Sequence, residues 1–343
     1  MPRRRGALVG CGFFADNHLN AWGDLRDRCD LVAVCDLDPA KAKSAGERFG
    51  IPGVYTDVEK MLIREKPDFL DVVTTAPSHL PIIRLCARHG IAAIVQKPLA
   101  PNWDDALALV SAMDQASLPL MVHENFRFQR PLRTAIGIVR AGEIGCPVWA
   151  RFSWRTGFDV IAGQPYLAEV DRFILLDLGI HVLDVARAFL GEVDQVFCRT
   201  QTIRTGIRGE DMATVMMGHK NGATSIVDIT YSSRQSPDPF PQTLVHIEGL
   251  EGSLRLEDRY RLTVTSPTGT RAEIVPPTPS SWGSEPWLLT QDSVVTTQSH
   301  WLDCLETGNL PMTSGHDNLR TFALVEASYR SADSQLPVVP VLN

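Results

Sequence analysis

No run of about 18 apolar residues occurs in the 343-residue sequence, so nothing reads as a membrane-spanning helix. No C-x-x-C pair occurs either. The seven cysteines, Cys11, Cys29, Cys35, Cys86, Cys146, Cys198 and Cys304, are odd in number and scattered. That excludes a disulfide framework and points to free thiols in a reducing cytosol. Positive charge is not in excess. The 33 Lys and Arg face 40 Asp and Glu, for a formal net charge of -7. No basic stripe stands ready for a phosphate backbone, so a nucleic-acid partner is not expected. Internal repeats and low-complexity tracts are missing, and no group of residues has convincing metal-ligand spacing. The N-terminal Met1-Pro2-Arg3-Arg4-Arg5 precedes an apolar run that is short, lacks a small-residue cleavage pattern and is broken by Asp16 and Asn17. It is expected to lead into a first strand rather than to act as a signal peptide. A cytoplasmic location follows as an expectation.

What is present is an ordinary globular composition, 44% hydrophobic and 21% charged, in a length that suits two domains. The first part alternates. Strands are expected at Ala7–Gly10, Leu31–Asp36, Phe69–Thr74, Ile91–Gln96 and Leu118–His123. Helices are expected at Ala40–Phe49, Val58–Lys66, Leu80–His89 before the capping Gly90, and Asn102–Ala116 with Asn102 as N-cap. Such alternation implies a parallel sheet covered on both faces. From Val148 the strand candidates follow one another: Val148–Thr156, Gln195–Ile203, Met212–His219, Ala223–Ser232, Thr243–Glu248, Ser253–Leu256 and Arg261–Thr265. One apolar helix, Leu178–Leu190, interrupts them, and helical stretches Asp292–Leu305 and Asp317–Ala332 close the chain. The expected fold class is α/β: a doubly wound parallel sheet over residues 1–126, and over residues 127–343 an α/β domain with an open, mostly antiparallel sheet. The C-terminal helix is a candidate to pack back on the first domain.

Gly10-Cys11-Gly12-Phe13-Phe14-Ala15 is a G-x-G-x-x-A turn placed after a strand and before a helix. Gly10 permits the tight turn, Gly12 lets backbone N–H groups approach a pyrophosphate, and Ala15 keeps helix and strand close. Asp36, at the end of the next strand, suits the ribose hydroxyls and repels a 2′-phosphate, so NAD is favoured over NADP. Asp38 is read as a helix starter. Lys97 ends a strand directly before Pro98, which pushes it away from helical geometry and sets it at the carboxyl edge where open sheets bind ligands. Asp177, His181 and Asp184 fall at i, i+4 and i+7, on one side of a helix, with Ile180, Leu183 and Val185 packing elsewhere. A carboxylate-held histidine relays protons near neutral pH.

The ordered set Gly10-x-Gly12-x-x-Ala15, Asp36, Pro77-Ser78-His79, Gln96-Lys97-Pro98, Asn125-x-Arg127-Phe128 and Asp177-x-Gly179-x-His181-x-x-Asp184, with Ser314–Asp317 and Glu326–Ser331, resembles the Gfo/Idh/MocA oxidoreductases over nearly the whole chain. The resemblance implies a Rossmann domain, an open-faced α/β domain whose sheet forms a homodimer or homotetramer face, and NAD as cofactor without a metal. It makes Lys97, His181 and Asp177 catalytic. It assigns cofactor binding to Gly10, Gly12, Phe13, Phe14, Asp36, Thr75, Pro77, His79, Gln96, Lys97 and Asn125. Substrate binding falls to Lys97, Arg127, Arg155, Asp159, Tyr166, Asp177 and His181, with Gln164, Arg172, Phe126 and Phe158 as further candidates for a sugar pocket. Gln96 departs from the usual Glu-Lys-Pro wording and removes a charge beside Lys97. The Pro-Ser-His turn is tighter than the usual Pro-x-x-x-His. The wording around Val95–Pro98, His123–Phe128, Ser153–Asp159, Gly163–Tyr166 and Glu169–His181 is closest to the branch that oxidises the anomeric carbon of D-apiose to its lactone with NAD. Either His181 or Lys97 then takes the hydroxyl proton while Lys97 stabilises the oxyanion. The alternatives are an inositol or other polyol dehydrogenase, a redox-neutral lyase or glycosidase that retains NAD, and a nucleotide-sensing regulator.

Overall fold

The computed structural model describes residues 3–342; Met1 and Pro2, the start of the basic N-terminal stretch, lie outside the described residues. The chain divides into two units, one running to Asn125 and including Ser293–Leu319, the other comprising Phe126–Asp292 and the chain from Arg320.

In the first unit the central apolar runs become strands with both faces buried. It runs β1 (Arg4–Val9), α1 (Ala15–Asp24), β2 (Cys29–Cys35), α2 (Pro39–Phe49), β3 (Gly53–Tyr55), α3 (Val58–Glu65), β4 (Phe69–Val72), α4 (His79–His89), β5 (Ala92–Gln96), α5 (Trp103–Gln115) and β6 (Leu120–His123). Every residue of β4, β5 and β6 is buried, which is why these strands read as continuous apolar runs and not as alternation. The sheet order is β3-β2-β1-β4-β5-β6, all parallel. The order reverses between β1 and β4, and ligands of such sheets bind beyond the strand ends at that point. Local chemistry sets the helix boundaries. Asn102 accepts the Asp105 N–H at 2.9 Å, Asp38 accepts the Ala40 N–H at 2.9 Å, and Gly90 closes α4 in the left-handed region at φ +71°.

The second unit is built on an eight-stranded sheet. It contains α6 (Arg130–Arg140), β7 (Pro147–Arg155), a short α7 (Val160–Gly163), α8 (Ile180–Leu190), β8 (Val193–Gln201), β9 (Met212–His219), β10 (Thr224–Thr230), β11 (Leu244–Gly249), β12 (Ser253–Glu257), β13 (Arg261–Ser266) and β14 (Gly269–Ile274). The long helices α9 (Leu288–Thr307) and α10 (Gly315–Ser334) complete the chain. The strand order is β14-β13-β12-β11-β7-β10-β9-β8. Only β7 and β10 pair in parallel; the other neighbours are antiparallel. The α/β class therefore holds, with a parallel sheet in one unit and a mostly antiparallel one in the other. Burial alternates along β9, as expected of a sheet with one covered face. Helix α8 is buried or nearly so at every position and apolar around most of its circumference. Among the described residues no helix is long and apolar enough to cross a membrane.

Candidate active site

The glycine turn follows from hard-sphere limits. Gly10 has φ +96°, and a Cβ there would sit 2.4 Å from the Val73 carbonyl oxygen, so only glycine fits. Around Gly12 the reverse holds: a Cβ would meet nothing within 4 Å, leaving an open backbone face. Ala15, 1% exposed, begins α1 against the sheet. The residue before it, Phe14, offers no side-chain cap, so the first amides of α1 remain a positive end suited to a phosphate. Phe13 projects outward, 68% exposed. Asp36 is built into this turn: Oδ2 accepts the Cys11 N–H at 2.7 Å and Oδ1 accepts the Asp38 N–H at 2.9 Å. A tight cradle, an uncapped helix start and a carboxylate at the end of β2 fit the pyrophosphate and ribose of a dinucleotide.

Beyond β4, Thr75 is extended and enters a single 3₁₀ turn, Ala76–Ser78, that carries Pro77. His79 is fully buried. Its Nδ1 lies 3.1 Å from the Leu99 carbonyl and its Nε2 lies 3.1 Å from the Thr74 carbonyl. Burial pushes this imidazole below its ordinary pKa, against the pull of the two carbonyls. His79 therefore sits between the segment after β4 and the segment after β5, and in its neutral form its one N–H donates to one of the two carbonyls. Lys97 stands at the end of β5, half-buried, before a cis peptide to Pro98. Its N–H donates to Gln96 Oε1 at 3.0 Å, and the Gln96 amide nitrogen meets His18 Nε2 at 2.8 Å. Asn125, 5% exposed, donates to Ser293 Oγ at 2.7 Å.

In the second unit the stretch around Asp177 departs from simple helix. Leu175–Gly179 forms one π-helical turn, and α8 follows it. Such turns occur often at functional positions. The regular i, i+4, i+7 face drawn through Asp177, His181 and Asp184 is therefore interrupted at its first member. Gly179 lets the turn approach β10 closely: a Cβ there would sit 2.9 Å from the Ile229 Cδ1 and would have to push that side chain aside. Glu210 anchors the turn by accepting the Phe173 and Leu175 N–H groups. Asp177 Oδ2 accepts the buried Tyr231 hydroxyl at 3.4 Å; burial, and then this carboxylate, push the phenol well above its ordinary range. His181 is 5% exposed and stacks on Phe126, with 4.1 Å between centroids. Asp184, fully buried, accepts both Arg127 Nη2 at 2.7 Å and Arg127 Nε, and also the Thr321 hydroxyl at 2.6 Å.

The candidate sugar-binding side chains are placed differently from one another. Arg127 is held in that bidentate pair. Asp159 caps α7 and pairs with Arg204 at 2.8 Å. Arg172 meets Glu326 at 2.7 Å and lies over the Tyr329 ring. Arg155 ends β7, with its carbonyl accepting from Gln235. Tyr166, 55% exposed, donates to Gln164 at 3.0 Å. Phe158 stacks on Phe240 at 4.2 Å. Sequence reading missed the partners Tyr231, Glu210, His18 and Asp71, none of which sits in a motif. Among the described residues no group of three or more His, Cys, Asp or Glu is placed to hold a metal ion.

Residues 4–124 match the family model described as an oxidoreductase family with an NAD-binding Rossmann fold, and residues 132–255 match the GFO/IDH/MocA C-terminal domain. The chain is 50% identical to the D-apiose dehydrogenase of Paraburkholderia graminis over 97% of its own length and 88% of that protein. It is 48% identical to the D-apiose dehydrogenase of Rhizobium rhizogenes over 97% of its length and 96% of that protein. Among solved structures, an oxidoreductase from Agrobacterium radiobacter in complex with NAD+, L-tartaric acid and magnesium is 47% identical. It superimposes with a TM-score of 0.97 over 98% of each chain.

Proposed function

Because the chain belongs to the Gfo/Idh/MocA oxidoreductase family, we propose that it oxidises the anomeric hydroxyl of D-apiose to D-apionolactone with NAD. The observation that carries this reading is the likeness, at 50% and 48% identity over 97% of the chain, to two D-apiose dehydrogenases. The bound coenzyme supplies the hydride acceptor. The amides at Gly10–Ala15 hold its phosphates, and Asp36 holds its ribose hydroxyls. Thr75, Pro77, Gln96 and Asn125 shape the nicotinamide end.

Lys97 and His181 carry the acid–base chemistry. One takes the C1 hydroxyl proton as the C1–H bond breaks, and the other stabilises the developing charge on that oxygen. Asp177 orients His181. Arg127, Arg155, Asp159 and Tyr166 are assigned to the sugar, Arg127 acting through the frame it shares with Asp184. The enzyme works in the cytoplasm as a homodimer or homotetramer associated through the open sheet of the second unit.

The test is a screen of NAD reduction across branched and linear aldoses and inositols, run on the wild type and on Lys97→Ala and His181→Ala. D-apiose is expected to give the highest kcat/KM, and each variant is expected to lose about 10²- to 10⁴-fold in kcat. Preference for an inositol, or sugar turnover without NADH accumulation, overturns the reading.

A further inference from the structure

Three polar side chains inside the first unit form a chain of hydrogen bonds, of which only Gln96 has a role above. Asp71, on β4, and His18, on α1, are both fully buried, and Gln96, the last residue of β5, is 8% exposed. The direction of every bond in the chain is fixed by one backbone group. The Lys97 N–H can only donate, so the Gln96 atom 3.0 Å from it is the amide oxygen. That turns the amide nitrogen toward His18 Nε2, 2.8 Å away. An amide nitrogen also only donates, so Nε2 accepts and the imidazole proton is on Nδ1. Asp71 Oδ2 lies 2.8 Å from Nδ1 and accepts it, together with the Trp22 indole N–H at 2.8 Å.

We propose that Asp71, His18 and Gln96 are positioning residues for Lys97: the buried carboxylate selects the His18 tautomer, His18 holds the Gln96 amide, and the amide pins the Lys97 backbone. The proposal rests on the catalytic reading of Lys97. It accounts for glutamine where the family wording has glutamate. A carboxylate at position 96 presents only lone pairs to Nε2, which carries no hydrogen in this tautomer, so the contact takes up one further proton, placed here on His18. Gln96 and His18 therefore specify each other. The chain also reaches the coenzyme turn. The Phe14 ring meets His18 edge-on at 5.6 Å, the His123 ring lies 4.3 Å from the His18 imidazole, and Gln298 donates to the His18 carbonyl at 3.3 Å. The helix that starts at the glycine turn and the lysine at the end of β5 are thus joined through one buried ring.

Nitrogen NMR of the full chain with isotope-labelled histidine reads the tautomer directly, with His18 assigned by its loss in His18→Asn. The wild type is expected to show a neutral His18 protonated on Nδ1, and Gln96→Glu to show a doubly protonated ring. In Gln96→Glu, kcat is expected to fall about 10- to 100-fold. Adding Asp71→Asn reverses both His18 bonds: the new amide donates to Nδ1, and Nε2–H donates to the carboxylate at position 96, while the Lys97 N–H still donates to position 96 and the Trp22 indole loses its acceptor. The double variant is expected to show the Nε2–H tautomer and to recover most of the lost kcat. A wild-type His18 protonated on Nε2, or a Gln96→Glu enzyme with unchanged kcat and unchanged His18 signals, overturns the proposal. If Lys97→Ala keeps its activity while the tautomers behave as stated, the catalytic reading of Lys97 has failed and the hydrogen-bond chain stands. If Lys97→Ala is inactive and the double variant recovers nothing, the chain has failed.

Discussion

The His181 imidazole lies face to face with the Phe126 ring, the planes 7° apart. A flat apolar wall on one face of the ring proposed to transfer the proton fixes its plane without using either nitrogen. Phe126→Leu keeps most of the volume and removes the flat face. The stacking itself is worth about 1 kcal/mol, so a modest drop in urea stability is expected. The larger effect is expected in kcat, about tenfold, because a ring free to tilt leaves productive geometry more often. Unchanged kcat at saturating sugar contradicts this role.

Asp184 presents the opposite case, a buried charge whose worth is structural. It lies against Arg127 and the Thr321 hydroxyl, with Arg187 at 3.7 Å. Arg187 is also buried and continues to Glu192 at 2.8 Å. Asp184→Ala leaves these guanidinium groups without their shared carboxylate, and a loss of about 3–5 kcal/mol is expected. Urea denaturation at neutral pH measures it. A loss under about 1 kcal/mol shows that the arginines find other partners.

The two glycines of the coenzyme turn are separable. Gly10→Ala forces a Cβ onto the Val73 carbonyl at a left-handed φ, so stability is expected to fall by about 1–3 kcal/mol and NAD affinity with it. Gly12→Ala meets nothing in the protein. It is expected to melt within a few degrees of wild type yet to lose NAD affinity at least tenfold, because the methyl occupies the face that a phosphate approaches. Thermal melting with and without NAD distinguishes the two. Equal ligand-induced stabilisation of Gly12→Ala and wild type rules out that face as the phosphate site.

Features that depend on neighbouring residues were readable before the fold was known. The glycine turn, Asp36, the Lys97-Pro98 step and the Asp177/His181 spacing are all local. Strands with both faces buried also declare themselves, and so does the one-face alternation of Met212–His219, which came out with the same ends. Strand β3 has only three residues, too few to show a period, and β14 is exposed at every position and shows no apolar alternation. Helix α6 went unread although Leu132, Ala135, Ile136 and Val139 recur at helical spacing; Pro131 and Gly137 interrupt the pattern. The partner relations were out of reach for a different reason. His18 meets residues 53 and 78 positions away, and Arg127 meets Asp184 across 57. Such pairs are set by which strands adjoin, and a single sequence does not encode that locally.

Two buried histidines give the fold an acid limit. Burial lowers the pKa of both His79 and His219, against carbonyls that favour the charged form. In the unfolded chain each titrates near its ordinary value of about 6.5. Above that pH both states hold the ring neutral and this contribution to stability is complete. As pH falls below it, the unfolded chain takes up protons first, so stability declines toward the lower folded values. Urea midpoints are expected to drop between about pH 7 and pH 5. Replacing His219, whose ring contacts Gly191 O and Ser225 Oγ, by Asn is expected to lower stability at pH 7 and flatten the slope. An unaltered slope removes His219 from the acid limit.

Asp36 has two duties that substitution can separate. Its oxygens accept from Cys11 and Asp38, so it shapes the glycine turn, and in the proposed coenzyme site its charge would disfavour a phosphate on the ribose. Asp36→Asn keeps an acceptor oxygen and removes the charge. Melting close to wild type is expected, with the ratio of NADP to NAD affinity rising about tenfold, the equivalent of about 1.4 kcal/mol. Asp36→Ala removes both duties. It is expected to bind NAD at least tenfold more weakly as well, because the turn amides lose their acceptor and the ribose loses its partner. Titration of both coenzymes against both variants decides the matter. If Asp36→Asn discriminates against NADP as strongly as the wild type, the selectivity comes from the shape of the turn rather than from the carboxylate charge.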